Sequence, residues 1–367
     1  MSFYQVYAEF KNFNPEEFNS KPTRTISNIL GKQYLDLYDF AFLLSLAAKG
    51  QLEDMAQKAF RITRQNFGKA IELYTPLYLS NYCENSCLYC GFNQNNKIKR
   101  KKLTLKELEK EAEFISSLGL KHILILTGES RKESPVSYLK ECAGILKKYF
   151  ASISIEVYSL EENEYALLAS SGVDGLVIYQ EVYDEKLYKK LHPAGPKKDY
   201  LFRLDAPERG ARSKMRNVSI GVLLGLGDWR KDVFLLGLHA RYLQDKFPDV
   251  NIGVSLPRIR PQKGDFKAIN KVSDEDLVQI ILALRIFLPR AGISLSTRED
   301  AHLRENLIPL GVTRLSAGSS TAVGGHTLLK EADTSQFEIN DRRSVDEIKT
   351  MLEKKGYQPV FKDWLNM

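Results

Sequence analysis

The sequence predicts an α/β fold: a (β/α)8 TIM-type barrel with an N-terminal helical extension and a short C-terminal extension. Three observations carry that expectation. Eight apolar, β-rich segments recur with helical patterns between them, the sign of parallel strands joined by crossover helices. Polar and charged residues gather directly after those segments, where a barrel places its active site. The chain has 367 residues and is 43% hydrophobic, enough to fill one large core.

Taken in order, residues 1–70 read as a helical preface rich in Phe, Leu and Ala after Tyr34. The expected strands are Glu72 to Ser80, His122 to Gly128, Ser152 to Ser159, Gly175 to Glu181, Ser219 to Leu226, Asn251 to Ile259, Gly292 to Thr297 and Thr313 to Ser319. Runs such as Ile123-Leu124-Ile125-Leu126 fit parallel strands covered on both faces. Thr104 with Glu107, and Ser273 with Asp276, have capping-box spacing and open helices. Cys142 falls in the helical stretch Pro135 to Tyr149, where a small buried thiol is the ordinary reading. Residues 71–320 form the barrel on this reading, and 321–367 a Gly-rich loop followed by the helix Ser344 to Lys355.

Composition narrows the function classes. No apolar run approaches the roughly 18 residues a bilayer requires, so the expectation is a soluble, cytoplasmic protein in a reducing compartment. The net charge of +7 is spread along the chain, with one dense patch at Lys97, Lys99, Arg100, Lys101 and Lys102. Solvated surface is the plain reading of that patch; docking of an acidic electron carrier is the functional one. No nucleic-acid-binding module accompanies the charge.

The chemistry is concentrated in Cys83, Cys87 and Cys90, spaced C-x3-C-x2-C just after the first strand. Three thiolates at that spacing can hold three irons of a cubane cluster and leave the fourth open. A structural zinc would call for a second Cys or Cys/His pair, and none follows. A disulfide framework does not suit three near-adjacent cysteines with one distant partner. At the other strand ends stand Thr127-Gly128-Glu129, Tyr179-Gln180-Glu181, Arg258-Ile259-Arg260, Ser296-Thr297-Arg298-Glu299 and Ser316-Ala317-Gly318-Ser319, which a polar ligand would satisfy. Glu156, inside an apolar strand, needs a partner, either a ligand or a structural cation.

The cysteine loop, with Tyr89 before the last cysteine and Gly91-Phe92 after it, resembles the signature of the radical S-adenosylmethionine superfamily. PLYLSNYCENSCLYCGFNQNNKIKRK from Pro76, TGE from Thr127, VIYQEVY from Val177, SLSTRE from Ser294 and the segment from DRR at Asp341 through KDW at Trp364 resemble the tyrosine lyases that make 2-iminoacetate for thiamine biosynthesis. The resemblance implies a 4Fe-4S cluster, S-adenosylmethionine as cofactor, and Cα–Cβ cleavage of L-tyrosine to 2-iminoacetate and p-cresol. It further implies an electron donor such as flavodoxin or ferredoxin and a thiazole synthase receiving the product. By the same resemblance Tyr89, Phe92, Gly128, Glu129 and Arg203 attend the cofactor. Gly221 and Gly225 would let backbone approach the adenine, and Glu156 would meet the cofactor's ribose or amine. Arg298 is expected to hold the tyrosine carboxylate, with Ser316, Ser319, Tyr179 and Glu181 lining the same chamber. The competing readings are a tryptophan-directed relative, a hydrogenase-maturase-like tyrosine lyase lacking the second cluster, and an iron–sulfur protein without turnover.

Overall fold

The computed structural model describes residues 2–14, 25–327 and 334–362. Eight parallel strands form a closed ring: β1 (Ala70–Ser80), β2 (His122–Thr127), β3 (Ser152–Glu156), β4 (Gly175–Glu181), β5 (Asn217–Val222), β6 (Asn251–Ser255), β7 (Gly292–Leu295) and β8 (Arg314–Ser316). β1 pairs with both β8 and β2, which closes the barrel. All eight expected strands are present. β3, β5 and β6 stop earlier than the apolar pattern extends, at Glu156, Val222 and Ser255, because the chain leaves the ladder there to build site loops. A ninth strand, β9 (Gln358–Val360), adds in parallel to the start of β1. At three residues including Pro359, it is too short to announce itself by period.

The strand period explains both core and site. Outward residues such as Leu73, Leu77, Ile123, Ile125, Ile153, Ile155, Leu176 and Ile178 are at most 2% exposed and belong to the core beneath the helices. Their inward neighbours alternate with them and are largely polar: Glu72, Tyr74 and Tyr78 on β1, Ser154 and Glu156 on β3, and Tyr179 and Glu181 on β4 line internal cavities. Leu124 and Leu126 on β2 and Val177 on β4 also face inward, but branched side chains do not fill the interior. A cavity of about 1380 Å³, counting its open mouth, occupies the C-terminal half of the barrel, and a second of about 470 Å³ lies against its floor.

The N-terminal helices are part of the same body. Phe3 stacks on His239 at 3.7 Å, Phe13 on Phe234 at 4.3 Å and Phe40 on Phe287 at 4.2 Å, so the preface is glued to the outer faces of the helices Trp229–Lys246 and Asp274–Phe287. Gln279 Nε2 donates to the carbonyls of Leu43 and Ser45, satisfying backbone groups where that layer turns. Both capping boxes form, at Thr104/Glu107 and Ser273/Asp276. Cys142 is fully buried in the helix Val136–Leu146. No helix among the described residues is long and apolar enough to cross a membrane.

Candidate active site

The cysteine loop leaves β1 and is held from both sides. Arg100 donates to the carbonyls of Asn81 (2.6 Å), Phe92 (2.9 Å) and Asn93 (2.7 Å). Lys102 Nζ donates to the Glu133 carbonyl at 2.7 Å. Two members of the basic patch therefore act as loop clamps and are not free surface charge. Gly128 N–H donates to the Ser80 carbonyl at 2.8 Å, and a Cβ at Gly128 would lie 2.3 Å from the Tyr82 carbonyl. Only glycine lets the end of β2 pass so close to the loop. A Cβ at Gly91 would likewise collide with the Gln336 carbonyl, at 2.1 Å.

Cys83, Cys87 and Cys90 line the large cavity as free thiols. Asn85 Nδ2 lies 3.7 Å from Cys83 Sγ and Gln336 Nε2 lies 3.5 Å from Cys90 Sγ, so amide N–H groups face two of the sulfurs. Burial pushes the Cys83 and Cys87 thiols up, a cost that cationic iron would offset by favouring thiolate. Among the described residues no three Cys, His, Asp or Glu side chains converge on a single-ion site; the three cysteines line one cavity, as suits a cluster in which each iron takes one thiolate. The donor set and its amide partners fit such a cluster.

Around the cysteines the charges are already paired. Lys197 Nζ lies 2.6 Å from Glu181 Oε1, and Arg203 Nη2 lies 3.9 Å from the same oxygen. Arg203 Nε donates to the Tyr179 carbonyl at 2.6 Å. Burial opposes the Glu181 charge, but these two cations hold its carboxyl below the usual range. Glu181 has φ +72° beside a β-bulge, a backbone strain that turns its side chain toward Lys197. Glu129 accepts from Asn85 Nδ2 at 2.7 Å. Tyr89 hydroxyl meets His192 Nε2 at 2.7 Å, while His192 Nδ1 faces the Tyr188 carbonyl at 2.7 Å. Burial and Lys197 depress His192 to about 3, so it is neutral: Nδ1–H donates to the carbonyl and Nε2 accepts from Tyr89.

The rest of the cavity wall is different. Arg298 stacks over the Phe337 ring at 3.4 Å and reaches the Arg258 carbonyl at 3.4 Å, with no carboxylate in ion-pair contact among the described residues. Glu156 has no hydrogen-bond or ion-pair partner among them, and burial with repulsion from Glu181 raises its carboxyl to about 7. Tyr179 hydroxyl donates to Ser255 Oγ at 2.8 Å and Tyr78 hydroxyl to Gln336 Oε1 at 2.7 Å. Ser316 Oγ accepts from the Thr297 N–H at 3.1 Å. The buried hydroxyls of Ser319 and Thr127 and the Arg260 Nε, all on the cavity wall, have no hydrogen-bond partner among the described residues. Unpaired buried polar atoms are costly; a polar ligand is the group that would satisfy them.

Fourteen of the sixteen sequence-selected residues line this one cavity. Gly221 and Gly225 do not. A Cβ at Gly221 would meet the Tyr179 ring and the Ser255 carbonyl, each at 2.5 Å, so its smallness makes room for a cavity residue. Gly225 has φ +110° and faces Ile259 and Ala268. Sequence reasoning missed Asn85, Lys197, Gln336 and Phe337. Lys197, in Gly-Pro-Lys-Lys, carries a weak signal as a loop lysine; Gln336 and Phe337 carry none. Of the C-terminal motif, Asp341 anchors Arg304 and Arg343, whereas Asp363 and Trp364 lie outside the described residues.

Comparison with known proteins agrees with this geometry. Residues 77–234 match the radical SAM superfamily model and residues 255–358 the Biotin and Thiamin Synthesis associated domain. The chain is 38% identical to the 2-iminoacetate synthase of Escherichia coli K12, over 94% of this chain and 92% of that one. The 2-iminoacetate synthase of Salmonella typhimurium is 37% identical over the same shares. The FeFe-hydrogenase maturase HydG from Carboxydothermus hydrogenoformans superposes with a TM-score of 0.86 at 32% identity, covering 98% of this chain and 83% of that chain. The cofactors of this enzyme are a 4Fe-4S cluster and S-adenosylmethionine. The chain belongs to the radical SAM superfamily, in its 2-iminoacetate synthase family.

Proposed function

We propose that this enzyme is a radical SAM carbon–carbon lyase that cleaves the Cα–Cβ bond of L-tyrosine to 2-iminoacetate and p-cresol, in a cytoplasmic, reducing setting, for thiamine thiazole synthesis. The observation that carries the reading is one cavity with two distinct ends: three cysteines beside a paired charge cluster, and Arg298 with no carboxylate partner among the described residues. The full-length likeness to 2-iminoacetate synthases supports it. We treat residues 71–320 as the catalytic barrel, with 1–70 and 321–367 as its extensions.

Cys83, Cys87 and Cys90 would hold the cluster and leave one iron for S-adenosylmethionine. When bound, this pair supplies one-electron cleavage chemistry that delivers a carbon radical able to take a hydrogen atom. Arg203 would grip the cofactor carboxylate with the part of its fork not committed to the Tyr179 carbonyl. Phe92, Gly128 and Glu129 border the same end, and Tyr89 fixes the loop through His192. At the other end Arg298, backed by Phe337, would bind the tyrosine carboxylate, with Ser319 and Ser316 beside it. Enclosure by Tyr74, Tyr78 and Tyr179 would exclude water from the reacting atoms.

The electron donor we propose is an acidic one-electron carrier such as flavodoxin or ferredoxin. Leu88 is 44% exposed between Cys87 and Tyr89, its N–H bonded to the Leu191 carbonyl, and Lys189 and Lys190 stand exposed beside Leu191. An apolar spot among lysines over the cysteine loop suits such a partner. A thiazole synthase would take the imine before water hydrolyses it. The test is anaerobic incubation of reconstituted protein with S-adenosylmethionine, reductant and either tyrosine or tryptophan. Tyrosine-dependent p-cresol and glyoxylate are expected; deoxyadenosine with neither product, or products from tryptophan alone, would refute the assignment.

A further inference from the structure

We propose that Glu156 is a substrate group of this site: it receives the ammonium of the amino acid whose carboxylate Arg298 holds, and takes up its surplus proton. The inference rests on the tyrosine-lyase reading and extends it to a residue that the resemblance alone would assign to the cofactor.

Topology places the two groups across from each other. Glu156 ends β3 and Arg298 follows β7, and in an eight-stranded ring the third and seventh strands are diametrically opposed. Both line the same cavity, and they do not pair with each other. A carboxylate and a guanidinium, each half-buried in the cavity wall and held apart with no ionic partner among the described residues, are poorly compensated by the protein itself. A ligand carrying one charge would relieve only one of them. An α-amino acid carries an anion and a cation two bonds apart and relieves both.

The surroundings select Glu156 for this role over Glu181. Glu181 is held by Lys197 and Arg203, which leaves it little attraction for a further cation. The groups facing Glu156 are Tyr74 and Tyr78 from β1, Tyr179 and Glu181 from β4, Lys197 and Arg203 from the segment after β4, and Arg298 after β7. The tyrosines are kept protonated by burial, Tyr74 being raised to about 12, so they neutralise nothing. Of the three cations, Lys197 and Arg203 are engaged with Glu181, and Arg298 faces across the cavity.

The chemistry needs such an acceptor. An ammonium nitrogen has no lone pair to stabilise a neighbouring radical, so hydrogen-atom removal from N–H requires the neutral amine. In the proposed step one N–H bond of the ammonium breaks with its electron pair remaining on nitrogen, and an O–H bond forms on the Glu156 carboxylate. No oxidant or reductant is consumed in that transfer. A carboxyl raised to about 7 is well matched to accept the proton near neutral pH.

The experiment is equilibrium dialysis of L-tyrosine and of its desamino analogue 3-(4-hydroxyphenyl)propanoate. Reconstituted, S-adenosylmethionine-loaded, unreduced protein is used, with cluster absorbance reporting that each variant is folded and loaded. Wild type should prefer tyrosine by about 10- to 100-fold. Glu156→Gln should lose most of that preference and keep the weaker affinity for the desamino acid, whereas Glu156→Asp should recover part of it. The wild-type preference should also decline as pH falls below about 7, where the carboxylate protonates. A Glu156→Gln enzyme that still prefers tyrosine, or a wild-type preference unchanged between pH 5.5 and 8, would overturn the inference. Tyrosine bound with that preference but never converted to p-cresol would instead sink the lyase reading and leave this one standing.

Discussion

The two ends of the catalytic cavity solve the problem of buried charge in opposite ways. Beside the cysteines, Glu181, Lys197 and Arg203 neutralise one another before any ligand arrives, and Glu129 is tied to Asn85. Elsewhere on the cavity wall, Glu156 at the end of β3 and Arg298 after β7 have no ionic partner among the described residues. The paired end is a rigid seat whose stability belongs to the fold. On the proposed reading, the two unpaired groups keep their charges for the substrate. Stability and binding should therefore respond to mutation in opposite senses at the two ends.

The largest effect is expected at the seat itself. Cys87→Ala leaves two thiolates where three irons must be held, and should abolish cluster incorporation and turnover together; iron and sulfide content with visible absorbance would report it. Full cluster content in that variant would break the distinction between the ends at its root.

Next comes Lys197→Met. Removing the cation strands Glu181 with Arg203 at 3.9 Å, and breaking a buried pair in this way costs about 3 to 5 kcal/mol. Urea unfolding of the metal-free protein should show that loss. A change under about 1 kcal/mol would mean the seat is not preassembled.

The pH dependence of stability sharpens the contrast from the other side. Glu156 is raised from an ordinary 4.5 to about 7, so between those values the native protein binds more protons than the unfolded chain. Stability should then fall as pH rises through that window, by up to about 3 kcal/mol, and Glu156→Gln should flatten the profile. Asp341 has the opposite sign. Burial works against its charge, but Arg343 and Arg304 hold it at about 2, so its contribution is present above its unfolded pKa near 3.8 and lost as pH falls toward 2. The smallest expected effect is Gln336→Ala, which removes the N–H facing Cys90 and the acceptor for Tyr78. About 1 kcal/mol of stability is expected, with the cluster retained.

How much of this was legible in the sequence follows from the same physics. The eight strands were readable because their outward residues are predominantly apolar, as in Ile123, Ile125, Ile153 and Ile155. Their ends were less so: β3 and β6 leave the ladder while the apolar pattern continues through Val157 and Leu256, which are buried by loop packing. The cysteines, Arg298 and Glu181 were legible from spacing and strand-end position. Lys197 and Gln336 were not, since each enters the site through a loop whose path depends on contacts far away in sequence, such as Lys197 N–H to Asn85 Oδ1 at 2.9 Å. The exposed reading of the basic patch failed at Arg100 for a similar reason. A charge run gives no sign of which member will turn inward to bind three carbonyls.

The most direct test of the two-ended account is Arg298→Met, measured for urea stability of the metal-free protein and for tyrosine binding of the loaded one. Removing a half-buried guanidinium with no ionic partner among the described residues should leave stability unchanged or raise it, while tyrosine affinity falls at least about tenfold. Destabilisation on the scale of Lys197→Met with tyrosine binding intact would contradict it, because Arg298 would then be part of the fold's own ionic framework and not a charge kept for the substrate.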